Sequence, residues 1–319
     1  VNRVVLVGVG GIGRRHFESL LKLPGEVDIT LVDPAPQSLQ AALSPGQHER
    51  GGLVTSCSSI DEIEGEFDLA IVATNSDVRL SVLQQLVSRG AIPNLVLEKV
   101  LFQSRQALEQ AGDLISRNDI RAWVNCSRRV WPAYTEIRNQ LREAEAVDLE
   151  VYGTRWGLAC NGVHFLDLFA WLNDFDDEIP VEAGRLDGCL HPAKREGYVE
   201  FLGTLEASTG EATAALTCLP HGKSDFLISL SGSDVSITIH EKEGWCVVNS
   251  ESEEPRLETF RPSMVSETTA WVADGILNGQ TCGLPTYEES AQVHATFLTA
   301  LRDKAEAISG SAYEQLPIT

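Results

Sequence analysis

The sequence predicts an α/β protein, with a parallel sheet carrying helices on both faces, followed by an α+β half built on an open, mostly antiparallel sheet. Three observations carry this. Short apolar runs alternate with amphipathic helical stretches through the first ~126 residues, the pattern of βαβ units. The first run passes directly into a glycine-rich turn that opens a helix. From about Arg129 the apolar runs follow each other closely, with Gly and Ser between them, as antiparallel neighbours do. The domain boundary is therefore expected near Cys126, giving domains of residues 1–126 and 127–319.

Val4-Val5-Leu6-Val7 is apolar and mostly β-branched, as a strand buried on both faces must be. Gly8, Gly10 and Gly13 follow at G-x-G-x-x-G spacing, with Gly11 and Ile12 inside the turn. One glycine makes the tight turn, the second lets backbone approach a pyrophosphate, and the third lets helix and strand pack closely. The helix that follows aims its free N–H groups and positive dipole end at the phosphates. The competing reading is a glycine turn with no ligand. Asp28 to Asp33 is a second strand, and Asp33 stands twenty positions past Gly13, where an acid holds a ribose hydroxyl.

Phe17, Leu20, Leu21 and Leu23 give the first helix its apolar face before Pro24-Gly25. Pro34-Ala35-Pro36 ends the second strand, and Gln37 to Leu43 is a short helix stopped by Ser44-Pro45-Gly46. Strands are expected at Gly52–Thr55, Asp68–Thr74, Leu95–Lys99 and Ala122–Cys126, with helices around Leu80–Val87, closed by Gly90, and Leu108–Ile115. In such sheets ligands bind at the carboxyl ends of the strands. Those ends carry Gly8, Asp33, Thr74, Lys99 and Asn125. The second half reads as a helix at Tyr134–Ala144, a strand at Val147–Tyr152 and a helix at Val163–Leu172. Strands follow at Tyr198–Leu205, Ala212–Cys218, Phe226–Leu230, Val235–His240 and Trp245–Val248, then helices at Ser266–Leu277 and Tyr287–Ile308. The acidic run Glu251–Glu254 is expected to be a solvated loop.

At 319 residues the chain exceeds the ~250–300 at which single cores stop growing, so two domains are expected. A net charge of −21 argues against nucleic acid and anionic membrane as partners. Seven scattered cysteines form no metal-finger spacing and fit reduced thiols in a cytoplasm. No apolar run reaches the ~18 residues of a membrane span, and the chain enters its first strand at once, so neither a span nor a signal peptide is expected.

Taken together, these residues resemble the Gfo/Idh/MocA oxidoreductases, the glucose–fructose oxidoreductase and inositol dehydrogenase family. The resemblance is carried by Gly8-Val9-Gly10-Gly11-Ile12-Gly13, Ala73-Thr74-Asn75, Glu98-Lys99, Asn125 to Pro132, Gly162 to Asp167, and Leu284 to Glu289. It implies a Rossmann domain followed by an open-sheet domain that binds substrate and mediates oligomerisation. It also implies that Ala73, Thr74 and Asn75 line the dinucleotide and that Glu98 approaches the nicotinamide ribose. Lys99 matches the family's catalytic lysine and His164 its histidine. Three positions depart from the pattern. Val100 stands where a proline usually follows Glu-Lys, so a cis peptide is not expected there. Cys160 stands where an aspartate often precedes the histidine by four, with Asn161 beside it. Asn75 replaces a proline.

Removing a hydroxyl proton as hydride leaves requires a positioned base, and a lysine in a partly dry cleft suits that task. Lys99, at a strand end, is the candidate; a surface lysine in a turn is the alternative. His164 shares a helical face with Asp167, which would orient it; it is otherwise an interior histidine or a substrate ligand. Arg129 either holds a substrate hydroxyl or carboxylate or makes a structural ion pair. His16 and His191 have no partner pattern and read as structural or surface residues. The leading reading is an NAD-dependent oxidoreductase, NAD preferred over NADP through Asp33, acting on a hydroxyl or carbonyl of a sugar, cyclitol or nucleotide-linked sugar. The alternatives are an NAD-retaining enzyme without net redox change and a non-catalytic cofactor-sensing regulator. No metal is expected, and a homo-oligomer is.

Overall fold

A computed structural model describes residues 1–43, 52–90 and 92–319, so the expected stop at Ser44-Pro45-Gly46 lies outside the described residues. The chain divides into two compact units. The first comprises Val1–Phe102, Gln106–Val130 and Ser263–Glu288; the second comprises Gln103–Arg105, Trp131–Pro262 and Glu289–Thr319.

The first unit alternates β1 (Asn2–Val7), α1 (Gly11–Leu20), β2 (Val27–Val32), α2 (Pro36–Ala42), β3 (Val54–Cys57), β4 (Leu69–Val72), α3 (Arg79–Arg89), β5 (Asn94–Leu97), α4 (Arg105–Arg117) and β6 (Arg121–Val124). The six strands are parallel, in the order β3-β2-β1-β4-β5-β6. The order reverses between β1 and β4, the switch point where such sheets place ligands. β4 and β5 are buried along their whole length, which suits strands covered on both faces; all their residues are apolar except Asn94, whose Nδ2 donates to Asp68 O at 2.7 Å.

The second unit contains α5 (Pro132–Gln140), β7 (Asp148–Thr154), α6 (Leu158–Leu172) and the short strands β8 (Val181–Glu182), β9 (His191–Pro192) and β10 (Val199–Glu200). β11 (Gly203–Ser208), β12 (Thr213–Leu219), β13 (Asp225–Ser231), β14 (Val235–His240), β15 (Trp245–Ser250) and β16 (Glu253–Thr259) follow. Its sheet runs β16-β15-β14-β13-β7-β12-β11-β8, antiparallel except where β12 meets β7. β7 alternates exposed and buried along most of its length, one face packed and one open. The expected loop at Glu251–Glu254 is corrected here. Glu253 and Glu254 begin β16, an edge strand pairing with β15, whose charged, largely exposed residues suit a sheet edge.

The last two helices are α7 (Val265–Leu277) and α8 (Tyr287–Ser309). α7 belongs to the first unit and packs on α1 there, with Ala270, Ala273 and Ile276 joining Phe17 and Leu20 in one buried cluster. Most of α8 belongs to the second unit, where Phe297 packs closely against Gly162 of α6. Among the described residues no helix is long and apolar enough to cross a membrane.

Candidate active site

The glycine turn after β1 is shaped by backbone approach. Gly8 has φ +88°, and a Cβ there would meet the backbone of Ala73 and Thr74 at 2.9 Å. A Cβ on Gly13 would lie 1.9 Å from the carbonyl oxygen of Gly8, so α1 can pack this closely on β1 only through glycine. Gly10 and Gly11 are different. They are exposed, and a Cβ on either would meet nothing within 4 Å. Gly10 caps α1 with no side-chain hydrogen bond, leaving first-turn N–H groups to an anion. An open, uncapped helix start beside a turn that excludes side chains fits a pyrophosphate. Ile12 is half-buried against the cluster that α7 completes.

At the end of β2, Asp33 is 8% exposed. Its Oδ2 accepts from Val9 N at 2.7 Å and its Oδ1 from Ala35 N at 2.8 Å. The carboxylate is thus fixed beside the glycine turn, and a carboxylate's further lone pairs remain for ribose hydroxyls.

Past β4, Ala73 is buried while Thr74 and Asn75 are half-buried. Past β5, Glu98 is 5% exposed. Its Oε1 takes His16 Nε2 at 2.9 Å and also Asn125 Nδ2, which follows β6. Burial pushes the Glu98 carboxyl up. Hydrogen bonds from His16 and Asn125, with the charges of His16 and Lys99, outweigh this and hold it below its ordinary range. Lys99 is half-buried, the next residue along.

The Lys99–Val100 peptide is cis, correcting the expectation drawn from the missing proline. Val100 is fully buried. Arg79, 1% exposed at the start of α3, donates to the carbonyls of Val100, Leu101 (2.6 Å) and Thr74. One guanidinium therefore ties the segment after β5 to the segment after β4.

In the second unit, α6 starts at Leu158, earlier than expected. Gly157 has φ +80°, and Glu200 of β10 accepts from Ala159 N at 2.7 Å and Cys160 N at 3.1 Å, satisfying N–H groups of the first turn. Asn161 Nδ2 donates to Trp156 O at 2.7 Å. Cys160, Asn161 and His164 form a half-buried strip on this helix, while Asp167 is 1% exposed. Phe165 meets Trp156 and Phe226 edge-on at 5.5 and 5.4 Å, fixing the rotation of α6 and with it where His164 points. In the turn Ser127–Val130 of the first unit, Arg129 is half-buried and Arg128 more deeply so. Among the described residues no group of three or more His, Cys, Asp or Glu is arranged to hold a metal ion.

Residues 2–126 match the GFO_IDH_MocA model, described as an oxidoreductase family with an NAD-binding Rossmann fold. The N-terminal domain belongs to the Gfo/Idh/MocA oxidoreductases. Solved structures extend the likeness in fold to the whole chain. An oxidoreductase from Agrobacterium radiobacter, in complex with NAD+, L-tartaric acid and magnesium, has TM-score 0.71 and 14% identity, covering 97% of both chains. The UDP-N-acetylglucosamine 3-dehydrogenase GnnA from Acidithiobacillus ferrooxidans has TM-score 0.70 and 13% identity, covering 94% of this chain and 97% of that one. A super-repressor mutant of Gal80p from Saccharomyces cerevisiae has TM-score 0.71 and 11% identity, covering 95% and 96%. At such identities the shared property is the fold. The chain spans about half the length of the curated relatives it matches, 56% of one and 43% of another.

Two residues of this Gfo/Idh/MocA domain have partners that the sequence did not indicate. His16, read as structural or surface, is a buried residue held between Glu98 and Thr269. Arg79 carried no motif at all. The one available signal was Glu98, a carboxylate at a buried strand end that requires donors from somewhere.

Proposed function

We propose that this chain is an NAD-dependent oxidoreductase moving a hydride between nicotinamide and a hydroxyl or carbonyl carbon of a sugar, cyclitol or nucleotide-linked sugar. The carrying observation is the convergence, at one end of the parallel sheet, of the open glycine turn, Asp33 and Glu98-Lys99. Bound NAD supplies the hydride acceptor. Gly8, Gly10, Gly11, Ile12 and Gly13 cradle the pyrophosphate, Asp33 accepts from ribose hydroxyls, and Ala73, Thr74 and Asn75 line the dinucleotide. Glu98 accepts from the nicotinamide ribose. Lys99 takes the substrate's hydroxyl proton, and His164, kept in place by the packing of Phe165, shares the proton transfer. Arg129, Asn161 and Asp167, with Lys99 and His164, hold the substrate. NAD is preferred because Asp33 repels a 2′-phosphate and Pro34-Ala35-Pro36 offers no cation to relieve it.

A substrate with several hydroxyls is supported by the family and by GnnA, whose name states a dehydrogenase activity on a nucleotide-linked sugar. In this reading residues 1–126, together with α7 of the same unit, serve the cofactor, and the second unit serves substrate and self-association. Exposed Tyr152 and Leu227, paired across β7 and β13, with Leu257 on β16, give the outer sheet face apolar area that a second copy would cover.

A cofactor-sensing regulator is the second reading. It is favoured by Cys160 in place of a carboxylate one turn before His164 and by the likeness to Gal80p. Nicotinamide absorbance during incubation with a polyol and sugar panel separates the cases. Net reduction of NAD supports the oxidoreductase. Product without net reduction supports an NAD-retaining cycle, and binding without product supports the regulator.

A further inference from the structure

The buried histidine beneath Glu98 sits between a carboxylate and a hydroxyl. His16 is 1% exposed, and its two ring nitrogens each have one partner. Nε2 faces Glu98 Oε1 at 2.9 Å, and Nδ1 faces Thr269 Oγ1 at 2.8 Å. The Thr269 hydroxyl also lies 2.9 Å from Val265 O, one turn back along α7, and a carbonyl can only accept. A hydroxyl has a single proton to give. If that proton goes to Val265 O, Oγ1 accepts from Nδ1–H. An ionised carboxylate likewise only accepts, so Nε2 also carries its hydrogen. Glu98 is held in its ionised form by further groups, with Lys99 following it in the chain and Asn125 donating to the same oxygen.

A second observation gives this arrangement a purpose. Both donors, His16 and Asn125, converge on Oε1 of Glu98, while Oε2 accepts no hydrogen bond among the described residues. One oxygen is anchored and the other is left as a rigidly placed acceptor.

We infer that His16 is an imidazolium locked in an ion pair with Glu98, a positioning residue that presents Glu98 Oε2 to a hydroxyl of the bound dinucleotide. The inference rests on the cofactor site proposed above. Truncating one partner of such a pair strands the other charge, which is why the effect on the ligand exceeds that of a surface contact. α7 thereby takes part in the site through Thr269, although it lies over 140 residues further along the chain than Asn125.

Histidine-selective ¹⁵N labelling of the cofactor-free protein reads the ring directly, with the His16 signal assigned by its loss in His16→Gln. Both nitrogens should be of the protonated type at neutral pH, and Glu98→Gln should convert the ring to the neutral form. A single unprotonated nitrogen in the wild type, the pattern expected if Thr269 donates to Nδ1, overturns the inference. In NAD titrations His16→Gln should weaken binding about 10-fold or more, the scale of a lost charge-assisted hydrogen bond. In the Glu98→Gln background the same change should cost less than about 2-fold, since the two residues act as a unit. Unchanged affinity in the single variant, or additive losses in the double, also overturns it. Should His16→Gln not fold, Thr269→Val, which keeps the shape and removes the acceptor, should itself shift the ring to neutral; a ring that stays charged contradicts the proton inventory. If the wild type binds no NAD, the cofactor reading fails, while the spectra still decide the charge of His16.

Discussion

Two alanine substitutions within the one glycine motif should have opposite profiles: Gly13→Ala should damage the fold, and Gly10→Ala should damage only binding. A Cβ at position 13 would sit 1.9 Å from Gly8 O and 2.8 Å from Gly8 C, both backbone atoms that cannot rotate aside. Reaching the ~3.5 Å of an unstrained contact requires α1 to move by about 1.5 Å relative to β1. Overpacking of that kind costs about 1–3 kcal/mol, so thermal and urea midpoints should both fall. At position 10 a Cβ meets nothing within 4 Å, and the φ of −65° suits any residue. Stability should stay within about 0.5 kcal/mol of wild type. The added methyl nevertheless occupies the space assigned to the pyrophosphate, and NAD affinity should fall about 10-fold or more, at least ~1.4 kcal/mol. Calorimetric titration of NAD beside a denaturation curve measures both quantities on the same sample. A Gly10→Ala protein that binds NAD as well as wild type would refute the placement of the phosphates.

Other consequences are equally direct. Asp33→Ser combined with Pro34→Arg should narrow or reverse the preference for NAD over NADP in paired titrations, because it exchanges a repelling carboxylate for a cation; tighter NADP binding by the wild type would contradict the role of Asp33. Glu98, its folded-state value depressed below the ordinary ~4.3, contributes stability that is fully present above about pH 4.3. That contribution is lost as pH falls through the lower, folded value, so Glu98→Gln should flatten the acid limb of a stability–pH curve, and an unaltered limb would count against it. His164→Asn should lower turnover more than NAD affinity; wild-type turnover would make the residue structural.

The parallel sheet was legible because burial on both faces demands continuous apolar runs, and Val4–Val7, Leu69–Ala73 and Leu95–Leu97 supply them, closed by Gly8, Thr74 and Glu98. The glycine turn was legible for the same local reason. What was hidden depends on distant partners. His16 meets residues 82 and 253 positions away, a relation no helical or strand period encodes. The start of α6 was misplaced because its first turn is satisfied by Glu200, some forty residues downstream, rather than by a local capping residue. The start of β16 at Glu253–Glu254 was read as loop because an edge strand that buries little has no apolar alternation to display. The cis Lys99–Val100 peptide had no proline to announce it.

The carboxyl end of the first sheet is proposed above as a redox site with Lys99 as its proton-transfer group. Lys99→Met isolates that role, since methionine keeps much of the side chain's length and apolar stem and removes only the ammonium. The variant should fold, bind NAD with near wild-type affinity and turn over the identified substrate about 10²–10⁴-fold more slowly at every pH sampled. Turnover within a few-fold of wild type across that range would contradict it.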